Sequence, residues 1–234
     1  RILDVENMLK LLADLGVAVA RKGHSVELCA RDLKKTELDR ALCAKVRGSI
    51  LLAGPLPARR GSATLYAPGG DVIGRRRLDT HFEGLGALGI GLAWTGDAFR
   101  LRRRTFRGAE ILLDEASVTA TENILMAATL APGRTTILNA ACEPHVQDLG
   151  ALLNKMGAKI SGLGTNRIEI DGVRKLGGAR HRVGPDYIEM GSFLAAAAST
   201  GGALTVTDLP DATTLRVMQR AFGRLGVRWT VENG

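Results

Sequence analysis

Four glycines set the frame of this chain. Gly16, Gly89, Gly157 and Gly226 each close an apolar, helix-like run and precede β-rich residues, and they stand 73, 68 and 69 residues apart. The segments are "LLADLGVAVARKGHSVELCA", "FEGLGALGIGLAWTGDAFRL", "LLNKMGAKISGLGTNRIEID" and "AFGRLGVRWTVENG". A period of this length means one supersecondary unit used repeatedly, each copy burying its apolar face against the next. A second set of runs precedes three of the four: "RGSILLAGPLPARRGSATLYAP", "TENILMAATLAPGRTTILNAA" and "GSFLAAAASTGGALTVTDLP". Each reads as an Ala/Leu-rich helix stopped by Gly or Pro, then a β run. The helices "ILLAGPLPA", "NILMAATLA" and "SFLAAAAS" are apolar nearly all round, which predicts burial on most sides. Their companions, such as "VQDLGALLNKMG", carry polar residues on one face and are expected at solvent.

One unit is then strand, buried helix, strand, exposed helix, strand, strand. Residues 1–44 hold the second half of a unit, and residues 45–107, 108–180 and 181–234 hold roughly one each. The expected class is α+β, with repeated βαβαββ units around buried helices. A doubly wound α/β sheet is the alternative, but paired β runs after each exposed helix suit hairpins better than parallel crossovers. The chain starts in mid-repeat, without an initiator Met or an apolar leader, and reads as a piece of a longer protein.

Composition narrows the function. Net charge is +8, with arginines clustered at Arg59–Arg60, Arg75–Arg77 and Arg102–Arg104. Such clustering suits nucleic acid, an acidic surface or a small polyanion. Aromatics are only 4% of the chain, too few for base stacking, and no nucleic-acid reader motif is present, so the polyanion is favoured. No apolar run is long enough to cross a membrane. Cys29, Cys43 and Cys142 are too scattered for a disulfide framework or a zinc site, and a reducing, cytoplasmic setting is expected. Cys29 and Cys43 read as small buried hydrophobes. His24, His81, His145 and His181 lack metal-ligand spacing and read mostly as surface residues, with His81 alone near the arginine cluster.

The strings "GGDVIGRRRLDTH", "DEASVTATENILMAATLAPGRTTILNAACEP", "LLNKMGAKISGLGTNRIEIDGV" and "GGARHRVGPDYIEMGSFLAAAA" resemble the UDP-N-acetylglucosamine 1-carboxyvinyltransferase (enolpyruvyl transferase) family over essentially all 234 residues. The resemblance implies an inside-out α/β barrel of two lobes with the active site in the cleft between them. Residues 1–184 would form most of one lobe and 185–234 the first, incomplete unit of the other. It implies transfer of the enolpyruvyl group of phosphoenolpyruvate to the 3′-hydroxyl of UDP-N-acetylglucosamine with release of phosphate, the first committed step of peptidoglycan synthesis. No metal or other cofactor is implied. The family's N-terminal Lys-Asn pair would precede Arg1, and its later aspartate and arginines would follow Gly234, so the chain alone is expected to be inactive.

Residue by residue, Asp71 stands where the family carries a loop Cys, after Gly69 and Gly70, and would be the general acid that protonates C3 of phosphoenolpyruvate. From spacing alone, Asp after Gly-Gly is turn chemistry; the flanking match favours the acid. The glycines would let the loop swing and the arginines would hold anionic substrates. Arg76 matches the family arginine at the loop end, and Arg77, Leu78 and Asp79 would follow it along the nucleotide sugar. Arg75 reads as a solvated basic residue. Arg47 matches an arginine that reaches towards phosphoenolpyruvate, with a structural salt bridge as the alternative. Ser117, Val118 and Thr119 match residues lining the uridine diphosphate, where an N-terminal helix turn suits an anion; an ordinary N-cap at Ser117 or Thr121 is the bland reading. Glu143 matches an acidic residue near the cleft and equally reads as a helix-start carboxylate. Three positions depart from the family pattern: Cys142 and Tyr187 replace Arg, and Thr119 replaces Gly. Tyr187 leaves open a related transferase with another acceptor, and a non-catalytic paralogue that only binds the nucleotide sugar is a second alternative. Finally, residues 181–209 are expected to dock against residues 1–44 in place of a missing half-unit, within the chain or by exchange between two chains.

Overall fold

The structure is a computed structural model that describes residues 2–70, 74 and 76–232. It divides into two compact units, residues 1–180 and 181–234. In the first unit, helix α1 (Leu3–Asp14) leads into the antiparallel hairpin β1 (Ala18–Lys22) and β2 (Ser25–Cys29). There follow α2 (Arg40–Cys43), a 3-10 helix (Arg47–Leu52), α3 (Pro55–Arg60), β3 (Ser62–Tyr66), α4 (Asp79–Ala87), β4 (Ile90–Thr95) and β5 (Ala98–Arg103). The last copy is β6 (Glu110–Leu112), α5 (Val118–Ala128), β7 (Arg134–Leu138), α6 (Pro144–Lys155), β8 (Lys159–Ser161) and β9 (Arg167–Asp171).

The last copy is the complete repeat. Its sheet runs β6-β7-β9-β8, with β6 parallel to β7 and the other two pairings antiparallel. The preceding copy has the same plan in the order β3-β5-β4, and its first strand is reduced to a parallel bridge between Glu37 and Thr64. That bridge is held by Leu38 N–H donating to Thr64 O and Thr64 N–H donating to Thr36 O, both at 2.9 Å. Strand β9 shows why the sheet has one wet face: Ile168 and Ile170 are buried, while Arg167, Glu169 and Asp171 alternate outward.

The glycine period has a direct cause. Gly16, Gly89, Gly157 and Gly226 all sit just past a helix at φ of 100°, 85°, 99° and 80°, a region closed to most side chains. Each ends its helix in a left-handed turn that sends the chain back towards its β residues. At the centre lies α5, whose Ala120, Ile124, Leu125, Ala127 and Ala128 are fully buried. Helix α4 lies directly on it, since a Cβ on Gly84 would come within 2.2 Å of Ile124 Cδ1.

Several expectations need correction. "ILLAGPLPA" is not one helix. Pro55 has no N–H to continue a helical ladder, so a 3-10 helix ends near Gly54 and α3 begins with Pro55 in its first turn. Cys43 is buried, but Cys29 is exposed, because among the described residues the β1–β2 hairpin pairs with no further strand. His81, read as one of a mostly superficial set, is only 1% exposed, since it sits on the face of α4 turned to α5.

The second unit holds α7 (Tyr187–Thr200) and α8 (Ala212–Arg224). Met190 and Met218 are buried, Gly191 lies against Met218 and Phe222, and Phe222 meets Trp229 edge-on at 5.7 Å. Residues 203–210 and 227–232, where β runs were expected, do not form strands here, because a strand exists only by pairing and no partner is in place among the described residues. The Ala-rich helix expected to be buried is also not: Phe193 is 55% exposed. Among the described residues, no helix is long and apolar enough to cross a membrane.

Candidate active site

The functional candidates collect where the start of α5 meets the 3-10 helix, the start of α4 and the segment before it. Asp71 and Arg75 lie outside the described residues. The root of their loop is described, and it is anchored. Gly69 N–H donates to Cys43 O at 2.9 Å, and a Cβ on Gly69 would sit 1.7 Å from Ala44 O. Gly70 has φ of 93° and lies against Arg47. These glycines are needed for close approach and a left-handed turn at the root. Gly69 is held there by its hydrogen bond to Cys43.

Arg47 opens the 3-10 helix and is half-buried. Its Nη2 donates to the backbone oxygen of Arg76 at 3.2 Å. Burial, with the Arg76 charge beside it, pulls its pKa below the ordinary arginine value. Among the described residues neither Arg47 nor Arg76 has a carboxylate partner. Two neighbouring cations with no counter-charge among the described residues form a region that an anion would stabilise.

Arg77 is different. Its Nε and Nη2 grip Asp79 at 2.9 and 2.6 Å, and Nη2 also reaches Asp114 at 2.5 Å. Asp114 in turn accepts from Thr80 Oγ1 at 2.9 Å. Arg77 holds the Asp79 carboxylate below the usual range, and Thr80 first, then Arg77, do the same for Asp114. The guanidinium of Arg77 and the carboxylate of Asp79 are thus already engaged with each other, tying the entry of α4 to the end of β6. Leu78 is the residue just before α4 and packs against the core.

Ser117 caps α5, its Oγ accepting from Ala120 N–H at 3.4 Å. Thr121 supports the turn from within, donating to Ser117 O at 2.8 Å and accepting from Ala141 N–H at 3.0 Å. The N–H groups of Val118 and Thr119 fall in the first turn, where a helix leaves donors without an internal partner. Behind them is a buried polar cluster. His81 Nδ1 lies 2.9 Å from Asn123 Nδ2, and its Nε2 lies 3.1 Å from Thr119 Oγ1. Burial, reinforced by the Arg47 charge and opposed by Asp79, pushes the His81 pKa down to about 4, so the ring is neutral at pH 7.

Glu143 stands at the start of α6, and its Oε2 is buried without a hydrogen-bond partner among the described residues. Glu122, on α5, is 9% exposed. Burial, and then the Glu143 carboxylate, raises its pKa to about 7. Glu122, Asn123 and Thr80 were missed by the sequence reading as site residues. One signal was available: a polar Glu-Asn pair inside a helix otherwise apolar all round must find partners or a function. Cys142 is exposed, and Tyr187 opens α7 in the other unit. Among the described residues no group of three His, Cys, Asp or Glu side chains could hold a metal ion.

The family model for EPSP synthase (3-phosphoshikimate 1-carboxyvinyltransferase) matches residues 1–234. The chain belongs to this family. Among its relatives, the UDP-N-acetylglucosamine 1-carboxyvinyltransferase of Treponema denticola is 51% identical over 98% of this chain and 54% of its own length. The Bacteroides fragilis protein of the same name is 46% identical over 97% of this chain and 54% of its own. The chain thus spans about half the length of the curated relatives it matches. Among solved structures, the enolpyruvyl transferase NikO from Streptomyces tendae superposes with a TM-score of 0.70 at 23% identity, covering 82% of this chain and 47% of that one. EPSP synthase from Acinetobacter baumannii gives 0.62 at 20% identity, covering 82% and 44%. The fold is therefore the enolpyruvyl transferase type, the inside-out α/β barrel built from βαβαββ units.

Proposed function

We propose that this chain supplies one side of the active-site cleft of a UDP-N-acetylglucosamine 1-carboxyvinyltransferase, a cytoplasmic enzyme of peptidoglycan synthesis. Residues 1–184 are assigned to one lobe and 185–234 to the start of the second. The reading is carried by Arg47 and Arg76, which have no carboxylate partner among the described residues, and by His81, which feels the Arg47 charge and meets Thr119 in the first turn of α5, in a chain that shares 51% identity with a protein of that name. Arg47 and Arg76 hold the phosphate and carboxylate of phosphoenolpyruvate. Ser117, Val118 and Thr119 take the diphosphate, with Leu78 and Asp79 beside the nucleotide and Arg77 fixing Asp79. Asp71 protonates C3 of phosphoenolpyruvate as the acceptor 3′-hydroxyl adds to C2 and gives its own proton to a base, the role the family's later aspartate would fill. The adduct then loses phosphate and a C3 proton, which restores the double bond as an enol ether.

The test is phosphate release by the full-length protein containing these residues. Release that requires both phosphoenolpyruvate and UDP-N-acetylglucosamine, and that disappears in Asp71→Ala, supports the reading. Binding of the nucleotide sugar without phosphate release would instead identify a non-catalytic paralogue. Tyr187, in place of the family arginine, favours one second reading, a transferase with another acceptor. In that case UDP-N-acetylglucosamine would be outcompeted by a different hydroxyl acceptor. Exchange of residues 181–209 between two chains is part of this proposal, and a strictly monomeric 234-residue chain by light scattering would exclude it.

A further inference from the structure

The buried cluster behind α5 has a hydrogen-bond direction that its backbone partners decide. Asn123 Oδ1 accepts from Gly54 N–H at 2.7 Å, and Asn123 Nδ2 donates to Ile50 O at 2.9 Å. A backbone N–H can only donate and a backbone carbonyl can only accept, so the amide cannot be turned round. The second hydrogen of Nδ2 points at His81 Nδ1, 2.9 Å away. That nitrogen must therefore carry the lone pair. A neutral ring with a bare Nδ1 carries its proton on Nε2, which faces Thr119 Oγ1 at 3.1 Å. The ring is neutral because it is buried and because Arg47 opposes a second positive charge more than Asp79 invites one. Thr119 then accepts from His81, and its own hydroxyl hydrogen has no acceptor among the described residues.

We propose that His81 is a positioning residue: locked by Asn123 as the Nε2–H tautomer, it makes the Thr119 hydroxyl an obligate hydrogen-bond donor towards a phosphoryl oxygen of the ligand held at the start of α5. This rests on the nucleotide-sugar reading of that turn and adds a role for the residue that stands in place of the usual glycine. The hydroxyl adds one directed donor to the backbone N–H groups of Val118 and Thr119. Its hydrogen cannot turn inward, because the inward lone pair is already occupied. A hydrogen bond from a fixed donor to an anionic oxygen is worth roughly tenfold or more in affinity.

The experiment uses the full-length protein and three probes: uridine, UMP and UDP. Affinities are measured calorimetrically for wild type, Thr119→Val, Thr119→Ser, His81→Phe and the double variant His81→Phe/Thr119→Val. Thr119→Val is expected to bind UDP about tenfold more weakly, with uridine unchanged. Thr119→Ser should retain tight binding. His81→Phe should lose less, because the Thr119 hydroxyl keeps its hydrogen and only its direction is freed, and the double variant should lose no more than Thr119→Val, because His81 acts through Thr119. Nitrogen-15 spectra of the histidine ring provide a readout independent of any ligand and should show a protonated Nε2 and a bare Nδ1 at pH 7. A protonated Nδ1, additive losses in the double variant, or UDP affinity unchanged in Thr119→Val would each overturn the proposal. A wild-type protein that binds none of the three probes would overturn the nucleotide-sugar reading itself, and the proposal with it.

Discussion

Glu122 and His81 are buried within one residue shell of α5, and burial acts on them in opposite senses. For Glu122 the folded pKa, about 7, lies above its ordinary 4.5. The folded state therefore binds the proton more tightly, and this contribution to stability is full below pH 4.5 and lost as pH rises through 7. For His81 the folded pKa, about 4, lies below 6.5, so stability falls as pH drops from 6.5 towards 4 while the unfolded chain takes up a proton. Glu122→Gln removes only the first effect. It should gain on wild type by up to ~3 kcal/mol between pH 4.5 and 8, read from urea unfolding at several pH values. Parallel stability curves for the two proteins would refute this. Asp71 gives a chemical prediction. A carboxylate attacks an epoxide far less readily than a thiolate. The full-length protein should therefore resist fosfomycin, which alkylates the cysteine found at this position in the resembling family, and Asp71→Cys should become sensitive. An adduct mapped to Asp71 in the unaltered protein would contradict it.

The repeat glycines separate two physical costs at the level of elements. Gly157 has φ of 99°, and a Cβ added there would meet nothing within 4 Å, so Gly157→Ala faces only backbone strain, about 1–2 kcal/mol. Gly89 has φ of 85°, and an added Cβ would also come within 2.0 Å of Thr105 O. Gly89→Ala should cost clearly more, because a backbone carbonyl must move as well, and unfolding midpoints of the two variants would rank them. Equal losses would mean that the contact at Thr105 relaxes freely. The same helix ends are legible from the 73-, 68- and 69-residue spacing, since a glycine after an apolar run is a local signal. The break inside "ILLAGPLPA" is not, because apolar periodicity outweighs the missing N–H of Pro55 when the run is read by pattern.

The two units of the chain differ in how much they bury. The first has a continuous core from Leu11 to Ile170, while α7 and α8 each bury one residue, Met190 and Met218. Opening free energy follows such burial. In the 234-residue chain, amide hydrogens of residues 187–224 should exchange orders of magnitude faster than those of α5, by hydrogen-exchange mass spectrometry. Uniform protection across both would show that the second unit finds cover of its own.

The period, the helix-ending glycines and the buried character of α5 were all determined by the sequence alone, because each arises from residues within a few turns of one another. So was the concentration of arginines around residues 75–77. What the tertiary structure decided is which partners the described charges find and how the polar residues beneath them are oriented. Arg77 is occupied by Asp114, 37 residues away, while Arg47 meets a backbone oxygen and, among the described residues, no carboxylate. Asn123 reaches His81, Gly54 and Ile50 across 42, 69 and 73 residues. Periodicity and propensity act between chain neighbours. The partner of a buried donor or acceptor is chosen by whichever elements the packed core brings against it, and that choice exists only once α4, α5 and the 3-10 helix are in contact.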